Sequence, residues 1–554
     1  MQIKKPMGAG LALILLLAAC QPSASESPTG SDTGSASEAP AVPQVLRVAL
    51  GTEPPSLDPN TATDSESIQV LRSVTYPLVY FDAELNVVDG MASYEVSDDG
   101  QTITFTLKDG FAYSDGQPVV AGDFVYSWRR LIDPRTASEY AYVLDYVQGG
   151  LETRTADPEV DDIDAMLEDF GVAAPDDSTF VVTLSQPASW FVYVATMWLT
   201  VPLREDMVFT EAEGYISSGP MMLTEWNHNA NVVLEPNPNW GGDPVNLERI
   251  EYSVISDQAA ELAAYEAGDI DIAQPPAAEI PRIEDDPELS QDVLRGNTLG
   301  IEYYAFDLKD PNGPFARSVN LRRAFHEAVD KEAAITVAFG GVGVPATSVV
   351  PPGMPGYQED DFLPYDVEQA QADFAAALDE LGLASAADLH LQIGYNTGST
   401  HETRVEFLQQ QWREAFGDDL TVEPVGMEFG TYLDRLSSDP FDIFRLGWSA
   451  DYPHPQNFLF DLLGCGSGNN NSGYCNEDAD ALIAQASVTA DLDGQVALYN
   501  QAQEMMMADS PMITLRWGSR FSLIKPWVQD LAATSLDSDA GEHFYSWATI
   551  APHD

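Results

Sequence analysis

The sequence predicts an α/β protein that is exported and folds as two or more domains. Three observations support this prediction. The N-terminus carries a secretory segment, and about 510 of the 554 residues follow residue 43. Strand and helix patterns occur in mixed order along this long remainder of the chain. A body of that length exceeds what one hydrophobic core usually organises.

The N-terminal segment is first basic and then apolar. Lys4 and Lys5 precede the run LALILLLAA, which is too short to span a bilayer and is typical of a secretory signal over residues 1–19. The end of this run together with Cys20 resembles a bacterial lipobox, in which the cysteine becomes the lipidated first residue. We therefore expect an extracytoplasmic protein, in the periplasm or at the cell surface, anchored by Cys20 to a bacterial membrane. An ordinary signal peptide with an incidental cysteine is the alternative.

A polar segment follows the predicted lipidation site. Residues 20–43 contain almost no bulky apolar side chains, so they cannot offset the entropy of ordering, and we predict a flexible tether. No later stretch approaches 18 consecutive apolar residues, so no transmembrane helix is predicted after the tether.

Alternating and helical apolar patterns define the elements of the body. Period-two patterns predict strands at 45–50, 102–107, 179–184, 231–236, 249–255 and 388–395. Helical spacing predicts helices at 121–133, 320–339, 367–382, 403–417 and 494–509. Gly382 and Gly417 stand where two of these helices should end. The second half of the chain, after about residue 300, is therefore expected to be richer in helix.

The charge balance is strongly acidic, with 88 acidic and 25 basic residues and a formal charge of −63. Such a surface repels nucleic-acid phosphates, so nucleic-acid binding is excluded as a function. Adaptation to a saline exterior and simple drift in composition are both compatible with this acidity.

No catalytic, metal or cofactor motif was found. The seven histidines are scattered, and the sequence has no H-E-x-x-H pair, nucleophile elbow, P-loop or dinucleotide-binding fingerprint. We therefore predict a protein without catalytic residues, resident metal or cofactor. In an oxidising exterior Cys465 and Cys475 should form a disulfide across a polar loop; a metal site there would need further ligands, and the loop has no histidine.

Several long blocks occur in a fixed order that resembles the extracytoplasmic solute-binding proteins of peptide ABC importers, the oligopeptide- and dipeptide-binding family. The blocks are GTEPPSLDP at 51–59, residues 93–134, residues 216–240, YEAGDIDIA at 265–273, and residues 303–334. The likeness covers the whole mature chain, and its specificity lies in the order of the blocks. SSGP at 217–220 departs from the family's usual sequence there.

The resemblance implies a two-lobed fold with a cleft, a third, inserted domain, and a hinge near residues 298–300 and 523–526. The implied boundaries are 44–75, 201–298 and 524–554 for lobe I, 76–200 for the inserted domain, and 299–523 for lobe II.

The segment RLGWSADY matches the family's peptide-contacting strand. The resemblance implies that Asp451 pairs with the α-ammonium of a peptide, that Arg445 binds a terminal carboxylate, and that the backbone at Gly447 and Trp448 pairs with the peptide main chain. Arg445 could instead join an internal ion pair, Asp451 could cap a turn, and Trp448 could be part of the core.

Three further contacts follow from the same resemblance. Tyr140 stands where family members bring an aromatic ring from the inserted domain toward the ligand, and Thr63 and Ser65 could add strand contacts. The implied function is a monomeric receptor that captures short peptides and delivers them to the permease subunits of an ABC importer. The alternatives are the same fold binding a murein peptide, nickel chelate, haem or sugar, and a lipid-anchored peptide hydrolase.

Overall fold

The computed structural model describes residues 42–397, 401–489 and 492–553. The predicted signal peptide, Cys20 and the tether up to residue 41 lie outside these ranges. None of the helices described within them combines the length and the apolar composition that crossing a bilayer requires.

Strands and helices are numbered here in chain order. The strands are β1 Val45–Leu50, β2 Val79–Phe81, β3 Val87–Asp89, β4 Ala92–Val96, β5 Thr102–Leu107, β6 Val172–Asp176, β7 Thr179–Thr183, β8 Met221–Asn227, β9 Asn231–Pro236, β10 Arg249–Val254, β11 Ile272–Ala273, β12 Val293–Phe306, β13 Val344–Pro345, β14 His390–Asn396, β15 Thr421–Met427, β16 Ile443–Ser449, β17 Met512–Ile524, β18 Val528–Gln529 and β19 Thr549–Ile550.

The α-helices are α1 Ser65–Val74, α2 Ala121–Ile132, α3 Gly150–Arg154, α4 Ile163–Asp169, α5 Gln258–Ala267, α6 Ile280–Asp285, α7 Pro314–Arg317, α8 Val319–Glu327, α9 Lys331–Ala338, α10 Val367–Leu381, α11 His401–Phe416, α12 Phe429–Ser438, α13 Gln456–Leu463, α14 Glu477–Ser487 and α15 Leu492–Ala508. Short 3₁₀ helices occupy Pro134–Thr136, Ala141–Leu144, Phe191–Thr196, Trp198–Thr200, Ala277–Glu279, Leu289–Gln291, Ala386–Asp388 and Tyr545–Trp547.

The periodicity predictions are confirmed, with one correction. All six predicted strands are present, and Gly382 and Gly417 follow helix ends with positive φ angles of 72° and 100°. The helix predicted over 320–339 is instead two helices, α8 and α9. The Asp330 side chain accepts a hydrogen bond from the backbone N–H of Ala333 at 2.9 Å, so it caps a new helix where a continuous one was predicted.

One mixed sheet of eleven strands runs through the body. Its order is β15-β14-β16-β12-β17-β11-β1-β10-β9-β8, and β13 also pairs with β17. The two long strands β12 and β17 form an antiparallel ladder that belongs to both halves of this sheet. A first half thus contains β11, β1 and β8 to β10, and a second half contains β14 to β16.

The ladder between β12 and β17 is irregular at two places. Its register shifts between Asn297 and Ile301, within which the expected hinge at 298–300 lies, and again between Glu302 and Tyr303. On β17 the first shift falls at Gly518, between Trp517 and Ser519, and pairing is regular from Ser519 to Leu523. The hinge at 298–300 and 523–526 stays a prediction.

Separate cores support the two halves. The first half shares its core with a four-stranded sheet, β4-β5-β7-β6, on which α2 packs with Trp128 against Phe180 at 5.2 Å between ring centroids. The second half has a large core on each face of its sheet, one built with α8 to α11 and the other with α12 to α15. The predicted Cys465–Cys475 disulfide is present, with the two Cα atoms 4.5 Å apart.

Candidate ligand-binding site

A cavity of about 740 Å³ lies between the two halves of the sheet. Its walls include Gln274 and Phe521 from the first half, and Phe339, Arg404 and Ser449 from the second. A volume of this size is in the usual range for small-molecule sites. Because both halves line it, a ligand here would contact both of them.

Strand β16 offers an open edge beside this cavity. Its full length pairs with β12, but β14 pairs only with its first two residues, Ile443 and Phe444. Within the described residues no strand pairs with Arg445–Ser449 on that second side. Gly447 and Ser449 are exposed there, so the edge could accept an extended main chain as an additional strand.

Asp451 lies just beyond the end of this strand. Its carboxylate accepts hydrogen bonds from the Asn457 side-chain amide at 3.1 Å and from the Tyr142 hydroxyl at 3.5 Å. Burial raises the pKa of Asp451 to about 6, although these hydrogen bonds and one from Tyr140 act in the opposite direction. It retains some exposed surface and lines a small cavity of about 30 Å³.

The charge of Asp451 has no basic partner among the described residues. A second carboxylate, Asp461, lies behind it, and the Asn457 amide donates to this group also, at 2.9 Å. Burial and the nearby charge of Asp451 raise the pKa of Asp461 to about 7. Two carboxylates linked by one neutral amide form a site that favours a cation.

Arg445 is held by a buried acidic residue. Its Nε atom lies 3.5 Å from Glu302, which is 4 % exposed and also pairs with Arg404 at 3.0 Å and Arg516 at 3.5 Å. Burial opposes the ionisation of Glu302, but the three guanidinium charges outweigh it and lower the pKa of this carboxyl. Of the alternatives considered for Arg445, an internal ion pair is therefore observed, and its partner is Glu302, not Asp451.

The sheet register explains this convergence. Glu302 on β12 is directly opposite Gly447 on β16 and Arg516 on β17. A Cβ atom on Gly447 would lie 3.4 Å from an Arg445 guanidinium nitrogen, so the missing side chain leaves room for that group. The Arg404 and Arg516 guanidiniums both stack on the Phe339 ring, at 4.5 and 4.3 Å from its centroid. Arg404 and Arg516 thus line the cavity, and Arg445 meets them at Glu302.

The remaining predicted residues fall in different places. Trp448 is half-buried and donates through its indole N–H to Asn457 at 3.3 Å, and Tyr140 packs on Trp198 beside Asp451. Ser65 begins α1 and lines a neighbouring cavity of about 290 Å³ that shares Gln274 with the larger one. Thr63 is exposed two residues earlier and does not line the described cavities around Asp451.

The sequence-based prediction did not include several residues of the site. These residues are Tyr142, Glu302, Arg404, Asn457, Asp461 and Arg516. Glu302 carried a usable signal, because it is the only charge within the apolar run LGIEYYAF. Tyr142 also carried a signal, because it is two positions from the predicted Tyr140. Arg404 and Arg516 carried none, because their surroundings in the sequence are typical of any exposed helix or strand face.

One other cluster has the composition of a metal site. The ligand atoms of Asp537, Glu542 and His543 lie within 4.8 Å of one another. Glu542 is already paired with Arg72 and accepts backbone hydrogen bonds, and Asp537 pairs with His543. The three side chains are therefore brought together by ion pairs and hydrogen bonds within the protein, most of them in the C-terminal segment.

A two-lobed α/β body with a cleft between its halves defines an extracellular solute-binding protein. The chain belongs to this class: the model for bacterial extracellular solute-binding proteins, family 5 (middle part), matches residues 86–470. The family resemblance noted in the sequence is thereby confirmed.

Known relatives share the fold and differ in ligand. The chain is 31 % identical over 500 residues to the oligopeptide-binding protein OppA of Bacillus subtilis, covering 88 % of each chain. It is 30 % identical over 495 residues to the probable deoxycholate-binding periplasmic protein YgiS of Escherichia coli, covering 88 % of this chain and 90 % of that one.

A solved structure confirms the predicted two-lobed fold with its inserted domain. The murein tripeptide-binding protein MppA of Escherichia coli superposes with a TM-score of 0.77 at 27 % identity, covering 93 % of this chain and 99 % of that one. The named ligands of these relatives range from oligopeptides to a bile acid, so membership of the family does not by itself specify the ligand of this chain.

Proposed function

We propose that this protein binds short peptides with a free α-amino group in the cleft between its lobes. The observation that carries the proposal is the Asp451 carboxylate, which faces a cavity at the end of an open strand edge and has no basic partner in the described part of the chain. An ammonium group supplies the missing charge, and the edge of β16 supplies hydrogen bonds for a main chain.

The two tyrosines near Asp451 give the ligand a role in lobe closure. Tyr140 and Tyr142 belong to the inserted domain as we propose it, residues 76–200, whereas Asp451 belongs to lobe II, residues 299–523. A peptide ammonium at this junction contacts both parts and therefore favours the closed arrangement over an open one. Lobe I comprises residues 44–75, 201–298 and 524–554 in the same proposal.

The closed, loaded protein then delivers its peptide to the permease subunits of an ABC importer. Residues 1–19 direct export, and Cys20 anchors the chain to the membrane with residues 20–43 as a tether. The protein acts as a monomer, outside the cytoplasm, without a cofactor or a catalytic step. The relatives named for oligopeptide and murein tripeptide binding support this assignment.

Calorimetry with matched peptides tests the proposal. Penta-alanine should bind, and N-acetyl-penta-alanine should bind at least 100-fold more weakly, because acetylation removes the charge that Asp451 requires. Mass spectrometry of molecules released from the purified protein by denaturation should detect short peptides. Equal affinities for the two peptides, or release of a non-peptide solute alone, would contradict the proposal.

A further inference from the structure

A second large cavity, of about 790 Å³, shares no lining residue with the cavity between the two halves of the sheet. Residues between 132 and 190 form one side of it, and residues between 452 and 469 form the other. A volume of this size is in the usual range for small-molecule sites. The peptide-binding function proposed above makes no use of this cavity.

One buried carboxylate that lines this cavity lacks a counter-ion. Asp461 accepts hydrogen bonds from the neutral amides of Gln456 at 3.1 Å and Asn457 at 2.9 Å, and it has no basic partner among the described residues. Asp145 also lines the cavity but is paired with Arg154 at 2.6 Å. Each Asp461 oxygen accepts one of the amide bonds and so keeps a lone pair for another donor. A ligand that brings a positive charge is therefore favoured beside Asp461.

Aromatic rings form much of the rest of the wall. Trp190 lies edge-on to Tyr146 at 4.8 Å and stacks on Tyr452 at 5.7 Å between ring centroids. All three line the cavity, together with Tyr142 and Phe460. Aromatic faces attract organic cations and pack against their apolar parts. A calcium ion would need about six to eight oxygen ligands, which this wall does not offer around Asp461.

The disulfide loop completes the wall next to this carboxylate. Residues 466–469 line the cavity, and the Ser467 hydroxyl donates to the Asp461 backbone carbonyl at 2.7 Å. The bond between Cys465 and Cys475 closes this loop and so restricts its conformational freedom. The wall is thereby held in place beside Asp461 before a ligand arrives.

We propose that this cavity is a second ligand site, which takes a small organic amine. The ammonium group of the amine pairs with Asp461, and its apolar part packs among the aromatic rings. The site is separate from the proposed peptide site, because Asp451 lines a different cavity. An amine bound here touches both sides of the cavity and therefore stabilises their contact.

The test compares phenethylamine with phenethyl alcohol, which has nearly the same shape and no charge, by calorimetry on the full protein. The measurement is made at pH 8, since burial raises the pKa of Asp461 to about 7. We expect the amine to bind at a single site, at least about tenfold more tightly than the alcohol. In Asp461→Asn this preference should fall to within about threefold. Asp478→Asn, an exposed change on α14 outside the cavity, should keep the full preference.

A second pair of variants tests the site at its rim, where substitutions are tolerated. Leu151 lines the cavity and is 48 % exposed, so Leu151→Lys adds a positive charge and should weaken amine binding about three- to tenfold. Val160→Lys, an exposed change outside the cavity, should leave amine binding as it is.

Three results would overturn the inference. They are equal affinities for the amine and the alcohol in the unmodified protein, an undiminished preference in Asp461→Asn, and displacement of the amine by saturating penta-alanine, which would place the amine in the peptide cleft. If Asp461→Asn does not fold, undiminished amine binding in Leu151→Lys would overturn it instead.

Discussion

Asn457 holds Asp451 at two points. Its side-chain amide nitrogen donates to the Asp451 carboxylate at 3.1 Å, and its side-chain oxygen accepts the Asp451 backbone N–H at 2.9 Å. This pairing fixes the carboxylate where β16 ends, although the residue follows the last paired position of the strand. The predicted ammonium site is therefore preorganised before a ligand arrives.

The first prediction concerns Asp451 itself. Asp451→Ala should weaken binding of penta-alanine by roughly 2–5 kcal/mol, since the ligand ammonium would be desolvated without its partner. Isothermal calorimetry measures this directly. Asp418→Ala removes an exposed carboxylate from lobe II and should leave the affinity unchanged. If both variants bound the peptide like the parent protein, Asp451 would not be the ammonium site.

The second prediction concerns the pH dependence of binding. In the proposed function the ionised form of Asp451 binds the ammonium, and burial raises the pKa of this carboxyl to about 6, so affinity for penta-alanine should rise as pH increases through this value. At pH 5 about one tenth of the free carboxylate is ionised, which makes binding about tenfold weaker than at pH 7.5. Calorimetry at constant ionic strength measures this ratio. The residual affinity of Asp451→Asn should lack the trend, and a ratio near one in the parent protein would argue against the role.

The third prediction concerns the stability of the unliganded protein. Burial raises the pKa of Asp461 from 3.8 to about 7, so this group stabilises the fold at low pH, and the contribution is lost as pH rises through about 7. The difference corresponds to about 4 kcal/mol between pH 4 and pH 8. Urea unfolding of the parent and of Asp461→Asn should show a steeper loss of stability with pH in the parent. Parallel curves would show that Asp461 does not titrate in this range.

The fourth prediction concerns Glu302. Glu302→Gln leaves three guanidiniums without their shared anion and should lower the free energy of unfolding by about 3–5 kcal/mol. Added sulfate should raise the melting temperature of this variant more than that of the parent, because it replaces the missing charge. Glu423→Gln, an exposed change on β15, serves as the control. A variant as stable as the parent would mean that the arginines do not depend on Glu302.

Local sequence patterns determined most of the secondary structure. The alternation at 45–50 and 102–107 and the helical spacing at 121–133 depend on neighbouring residues only, so they could be interpreted without the fold. The same holds for Cys465 and Cys475, which are ten positions apart. The order of the sequence blocks along the chain indicated the family. The segment RLGWSADY, which matches the family's peptide-contacting strand, contains both Arg445 and Asp451.

Only the tertiary structure decided which charges meet. Glu302, Arg404, Arg445 and Arg516 lie far apart in the sequence, and they converge because β12 is flanked by β16 and β17 in a particular register. Sheet register between distant strands depends on the packing of whole cores and has no local signature. For that reason the sequence left two possibilities for Arg445, a ligand carboxylate and an internal ion pair, and only the fold shows that it shares the buried Glu302 with two further arginines.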